Sequence, residues 1–147
     1  MGFSRAVGAH ALARELAVQG VHELVVLRDL LADLVDVVTL VAANNYAASL
    51  TELERLEEAN SLMRKMMPVA RRILGESHDL TLRMRWSYAE ALYKDAGATL
   101  DDLHEAVTTL EEIERTARRV LGGAHPLTGS IGKSLQIARA RVAFGSL

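Results

Sequence analysis

A chain of 147 residues without cysteine fits one domain that buries roughly two thirds of the surface its unfolded form exposes, and disulfide frameworks, thiolate zinc sites and cysteine nucleophiles are excluded together. Half of the residues are apolar, yet only one tryptophan, three tyrosines and two phenylalanines are aromatic and there are two prolines, a palette that suits packed helices and argues against a sheet. The 17 basic and 19 acidic side chains are mixed along the chain and leave a net charge of −2, which gives no footprint for nucleic acid.

In chain order, the first expected elements are helices over Ser4 to Val18 and Val21 to about Val35, broken at Gln19-Gly20. The start carries neither a signal-peptide nor a myristoylation pattern, so no targeting address is expected, and a chain without cysteine suits the reducing cytoplasm. Val21 to Ala43 is the most apolar stretch, but Arg28, Asp29, Asp33 and Asp36 interrupt it. Each of these costs about 2.5–3.5 kcal/mol at a bilayer centre, so no membrane span is expected. Leu24, Leu27, Leu31, Leu34 and Val38 recur at steps of three and four, and Val25, Val26, Val35 and Val37 widen that stripe. Packing on the next helix accounts for it, and self-association through residues 21–38 is the rival use.

Next come helices on Leu40, Ala43, Tyr46, Ala47, Leu50 and Leu53, then on Leu56, Ala59, Leu62, Met63, Met66 and Ile73, the second kinked by Pro68. Met63, Met66 and Met67 read as core filling. Lys94 to Thr99 reads as a lengthened turn, after which Thr99 and Asp102 form a capping box for a helix marked by Leu100, Leu103, Ala106, Val107, Leu110, Ile113 and Val120. Gly75 and Gly122 stop their helices, and Pro126 opens a final helix that runs to about Phe144.

Self-similarity ties these elements together. Leu74-Gly75-x-x-His78-x-x-Thr81 recurs as Leu121-Gly122-x-x-His125-x-x-Thr128, 47 residues later, and Arg71-Arg72 recurs as Arg118-Arg119. Tyr46-Ala47-x-x-Leu50 recurs as Tyr88-Ala89-x-x-Leu92 at an offset of 42, so a five-residue insertion lies between Leu92 and Leu103. Such periods mark stacked helix pairs. The expectation is an all-α, α-α superhelix of about seven antiparallel helices: a divergent N-terminal pair over 1–38, repeat units over 39–80 and 81–127, and a closing helix.

The string Tyr46-Ala47-x-x-Leu50, then Arg55-Leu56-Glu57-Glu58-Ala59 and Leu74-Gly75-x-x-His78 with Thr81, resembles tetratricopeptide repeats of the kinesin light chain type. The likeness covers roughly Thr39 to Ala140. Where that family has glycine between its two helices, this chain has Glu54. The resemblance implies a scaffold whose first helices line a concave groove for a peptide or protein partner. Through the repeat alignment it points to Asn44, Asn45, Ala48 and Glu52 in the first unit and Arg83, Trp86, Ser87, Glu90, Tyr93 and Lys94 in the second. Lys133, Ser134 and Arg141 follow in the third. Asn side chains there could pair with a peptide backbone, with Trp86 and Tyr93 as apolar anchors.

Chemistry finds little footing in the residues. His78 and His125 recur in a turn without a second ligand at metal spacing, so capping is the expected role and no metal site is assigned. His10, His22 and His104 form no pair, and there is no glycine-rich phosphate loop or nucleophile elbow. Asp101-Asp102, Glu57-Glu58 and Glu111-Glu112 read as solvated helix faces. No catalytic residue and no cofactor is expected.

Overall fold

The computed structural model describes residues 2–30 and 37–145, which form six α-helices and, among the described residues, no strand. They are α1 (Gly2–Leu30), α2 (Val37–Glu52), α3 (Leu56–Leu74), α4 (Asp79–Lys94), α5 (Leu100–Val120) and α6 (Pro126–Phe144). Each of α3, α4 and α5 packs on the helix before and after it, and α4 also touches α2 and α6. The result is a stack of helix pairs in which α2, α4 and α6 are neighbours.

Periodicity explains the core. Leu40, Ala43, Ala47 and Leu50 of α2 meet Ala59, Met63, Met66, Val69 and Ala70 of α3, all buried, and Leu103, Ala106, Leu110, Ile113 and Ala117 bury the matching face of α5. Met63 and Met66 fill this core, with Met67 packed at its edge. The stripes overreach at their ends. Leu53, Ile73, Leu100 and Val120 are exposed, because a terminal residue extends past the neighbouring helix that would cover it. α3 runs unbroken through Pro68, which faces solvent.

The caps follow from local chemistry. Gly75 and Gly122 hold φ of 89° and 90°, the left-handed region that glycine enters without a steric cost. His78 and His125 are the N-caps of α4 and α6, where the imidazole Nδ1 accepts from the backbone N–H of Leu80 at 3.0 Å and of Leu127 at 3.1 Å. One donor of each helix start is thereby satisfied. Thr99 and Asp102 close the capping box of α5 reciprocally, at 3.1 and 2.9 Å, and Pro126 occupies the first turn of α6. The insertion divides in two. The α4–α5 turn, residues 95–99, is two residues longer than the α2–α3 turn, residues 53–55, and the remainder forms an added first turn of α5 ahead of Leu103.

Two features differ from expectation at the N-terminal side. Gln19-Gly20 does not break the chain: α1 is one helix from Gly2 to Leu30, so the described residues hold six helices. A single interior glycine costs a helix only about 1 kcal/mol relative to alanine, too little to end it without a proline or a cap. Of the apolar stretch 21–38, Val21 to Leu30 belong to α1 and Val37 and Val38 to α2, while Leu31, Leu34 and Val35 lie outside the described residues.

Candidate functional site

The three first helices of the pairs are fastened side by side by one repeated contact. Ser87 Oγ of α4 donates to Asn44 Oδ1 of α2 at 3.0 Å, and Trp86 Nε1 of α4 donates to Ser134 Oγ of α6 at 2.9 Å. Asn44 and Trp86 are equivalent under the offset of 42, and Ser87 and Ser134 under the offset of 47. The same pair of positions therefore carries the junction in both units. Arg141 strengthens the second junction by donating through Nη1 to the carbonyls of Tyr93 and, at 3.1 Å, Asp95, which places a cation on the negative C-terminal end of α4.

These contacts sort the candidate residues into two groups. Asn44, Trp86 and Ser87 are half-buried and spend their polar groups on the junctions. Tyr93, expected as an apolar anchor of the groove, is buried at 3 % exposure. Its hydroxyl is pushed up from the usual tyrosine range by burial, an effect that a hydrogen bond with Ser134 of α6 opposes. By contrast Asn45, Glu52, Arg83, Lys94 and Lys133 are exposed and Glu90 is half-buried. Arg83 pairs with Asp79 at 3.1 Å and Lys94 with Glu90 at 2.5 Å, each one helical turn away. Arg83 and Lys94 are thus each neutralised within α4 itself. Lys133 and the carboxamide of Asn45 have no partner among the described residues.

Two exposed apolar side chains escaped the sequence reading. Val41 lies one turn before Asn45 on α2, and Ile137 of α6 is the repeat equivalent of Glu90 and Ala48; they are 41 % and 52 % exposed. The offsets that aligned Tyr46 with Tyr88 were the signal that could have found them. Together with exposed Ala48 they give the first-helix register an apolar component beside its neutralised charges.

Where α4 meets the second helices α3 and α5 the chemistry is different. Arg85 of α4 is 6 % exposed, with its guanidinium on Glu112 of α5 and, at 3.5 Å, on Glu76. Tyr88 donates to Glu105 and accepts from Arg64 at 3.2 Å. Burial and the bond to Glu105 push the Tyr88 hydroxyl up, against the pull of Arg64. Each of these groups bridges helices and finds its counter-charge on the neighbour, so they read as struts of the stack. A cleft of about 580 Å³ also opens between α1 and the α2–α3 pair, walled by Val18, Val21, Tyr46, Leu50 and Leu62. Among the described residues no cluster of His, Asp and Glu is arranged to hold a metal ion, and no helix is long and apolar enough to cross a membrane.

No curated protein and no solved structure matches the chain. Residues 39–79, which take in all but the first two residues of α2, the whole of α3 and the turn closed by His78, match the family model described as "Tetratricopeptide repeat", so the chain carries a repeat of the tetratricopeptide type.

Proposed function

We propose that this protein is a non-catalytic scaffold that binds a segment of a protein partner along the concave face lined by α2, α4 and α6. Repeats of this type generally mediate protein–protein interaction. The observation that carries the reading is the repeated junction, Asn44 to Ser87 and Trp86 to Ser134. It aligns the three helices in one register, with Asn45, Ala48 and Glu52, Arg83 and Lys94, and Lys133 and Ile137 exposed. Free carboxamide and ammonium groups offer hydrogen bonds to a peptide backbone, while Val41, Ala48 and Ile137 offer apolar contact. Because Arg83 and Lys94 are already paired within α4, apolar burial supplies more of the affinity than charge does. The unit of about 42 residues and its Leu-Gly-x-x-His turn support the kinesin light chain kind of repeat, with 81–127 as the second unit. The cysteine-free composition supports a cytoplasmic setting.

The test is affinity capture from the native cell extract, with the recovered protein identified and its binding segment then measured against variants. Asn45→Ala with Ile137→Glu is expected to weaken that segment at least tenfold with helicity unchanged, since neither side chain supports the core. Unchanged binding by this variant would overturn the assignment of the face.

A further inference from the structure

A cleft of about 400 Å³ lies where α4, α5 and the turn after α3 meet, and its walls are all polar: Glu76, Arg85, Glu112, Arg115, Thr116 and Arg119. Arg85 is buried; its Nη1 and Nη2 reach Glu76 and Glu112, while its Nε has no hydrogen-bond partner. A buried guanidinium short of acceptors is costly, and the stack does not demand one there, because its repeat equivalents are Ala43 and Gly132. The offset of 47 likewise sets Glu76, Glu112, Arg115 and Thr116 against Gly123, Lys65, Pro68 and Val69. Of the six, only Arg119 keeps its type, opposite Arg72. The cluster therefore belongs to one place in the chain and not to the repeat. Its charges do not balance either. Arg71 is held on Glu76 at 3.1 Å, so the four guanidiniums of Arg71, Arg85, Arg115 and Arg119 face two carboxylates, a surplus of two positive charges in a chain of net charge −2. Arg115 and Arg119, one turn apart on α5, are exposed and have no partner among the described residues.

We propose that this cleft binds a phosphomonoester, with Arg115 and Arg119 as the donors to its phosphoryl oxygens and the buried Arg85 as a fixed positive floor. A phosphoryl group on a side chain carries about −1.5 to −2 charges at pH 7, which matches the surplus, whereas one carboxylate would cover half of it. Guanidinium forks fit phosphate oxygens, and a dianion between Arg115 and Arg119 relieves the repulsion of like charges one turn apart. Walls without an apolar or aromatic side chain give a nucleobase nothing to stack on. The phosphoryl group of a modified protein segment is thus the source that the cleft fits best. None of these residues belongs to the partner-binding face along α2, α4 and α6.

Amide chemical shifts of the isotopically labelled full chain, followed at fixed ionic strength, test it. The probes are a short glycine peptide with one central phosphoserine, the same peptide with serine, adenosine monophosphate, and acetate. The phosphopeptide is expected to give saturable shifts at Arg115, Thr116 and Arg119, at concentrations about tenfold below those that acetate needs, and the serine peptide none. Arg115→Gln and Arg119→Gln are each expected to weaken the phosphopeptide at least about fivefold with the unfolding transition unchanged, since both side chains are exposed and unpaired. Arg118→Gln removes the same charge from the adjacent position, where the side chain pairs with Glu114, and is expected to change binding less than about twofold. Weaker binding of adenosine monophosphate than of the phosphopeptide supports a protein source; equal or tighter binding keeps the phosphoryl site and assigns it to free phosphate esters. An absence of saturable shifts, acetate binding as tightly as the phosphopeptide, or an equal loss in Arg118→Gln overturns the proposal. Asn45→Ala with Ile137→Glu leaves phosphopeptide binding unchanged, which separates a failure here from a failure of the partner-binding face.

Discussion

Replacing Glu54 with glycine should make this protein more stable, and the reason lies in one turn. α2 ends at Glu52, and the chain closes with Arg55 N–H on the Leu50 carbonyl at 2.8 Å and Glu54 N–H on the Thr51 carbonyl at 3.1 Å. This crossed pair of bonds is the Schellman arrangement, whose penultimate position adopts the left-handed conformation and is usually glycine. Glu54 sits there at φ 60°, and among the described residues no other residue except glycine has positive φ. An L-residue in that region costs roughly 1–2 kcal/mol through the clash of its Cβ with the following carbonyl. Glycine removes the clash but gives back roughly 0.5–1 kcal/mol in unfolded-state entropy. The Glu54 side chain is exposed and makes no ion pair, so its loss costs nothing further. Glu54→Gly is therefore expected to stabilise by about 0.5–1 kcal/mol, a rise in Tm of about 1–4 °C for a chain of this size. Glu54→Ala keeps the Cβ and should leave stability nearly unchanged, so the two variants separate backbone strain from side-chain loss. Calorimetry or urea titration at pH 7 decides it. If alanine matches glycine, or if glycine lowers Tm, the strain account is wrong.

Three further outcomes follow from particular side chains. Thr81 and Thr128 are repeat equivalents, but Thr128 Oγ1 donates to the Gly122 carbonyl at 2.9 Å while Thr81 Oγ1 is buried without a partner. Thr128→Val should cost about 1 kcal/mol and Thr81→Val should be neutral or stabilising, read by urea midpoints; equal losses would contradict the asymmetry. Glu112→Ala strips a carboxylate from buried Arg85, whereas Glu111→Ala breaks only an exposed pair with Arg139. The first should cost about 1–3 kcal/mol and the second under about 1 kcal/mol in the same titration, and a reversed order would refute the reading of Arg85 as a strut. Burial raises the hydroxyls of Tyr88 and Tyr93 above the ordinary value of 10.0. The unfolded chain therefore loses these protons first. Their contribution is fully present below about pH 10 and is lost as pH rises through the folded values. Denaturation midpoints should fall from pH 10 upward, less steeply in Tyr93→Phe, and an unchanged slope would rule out Tyr93 as a source.

The parts of this architecture readable from sequence are those set by local chemistry. Gly75, Gly122, the Thr99–Asp102 box and Pro126 act within four or five residues of themselves, so their types alone specify the turn they make. The imidazoles of His78 and His125 could be assigned to capping on the same ground. Offsets of 42 and 47 were equally legible, because stacked units repeat their core positions. What escaped depends on contacts across units. Nothing in the local sequence tells that Asn44 and Ser87 share a hydrogen bond, or that Tyr93 turns inward onto Ser134; both require the register of one helix against the next. Ile73, Leu100 and Val120 look like core residues by period, yet a period does not show where a neighbouring helix ends. Gly20 reads as a helix stop by residue type, although without a cap or proline it is only a small local cost. The candidate face was legible as a set of positions, and the structure divided that set into residues that fasten helices and residues left exposed.

The most direct test of the binding face is to map, by amide chemical shift, where the captured partner segment meets the isotopically labelled chain. The account predicts perturbations clustered on α2, α4 and α6 around Asn45, Ala48, Arg83, Lys133 and Ile137. Perturbations confined to α3 and α5, around Arg64, Arg115 and Arg119, would contradict it.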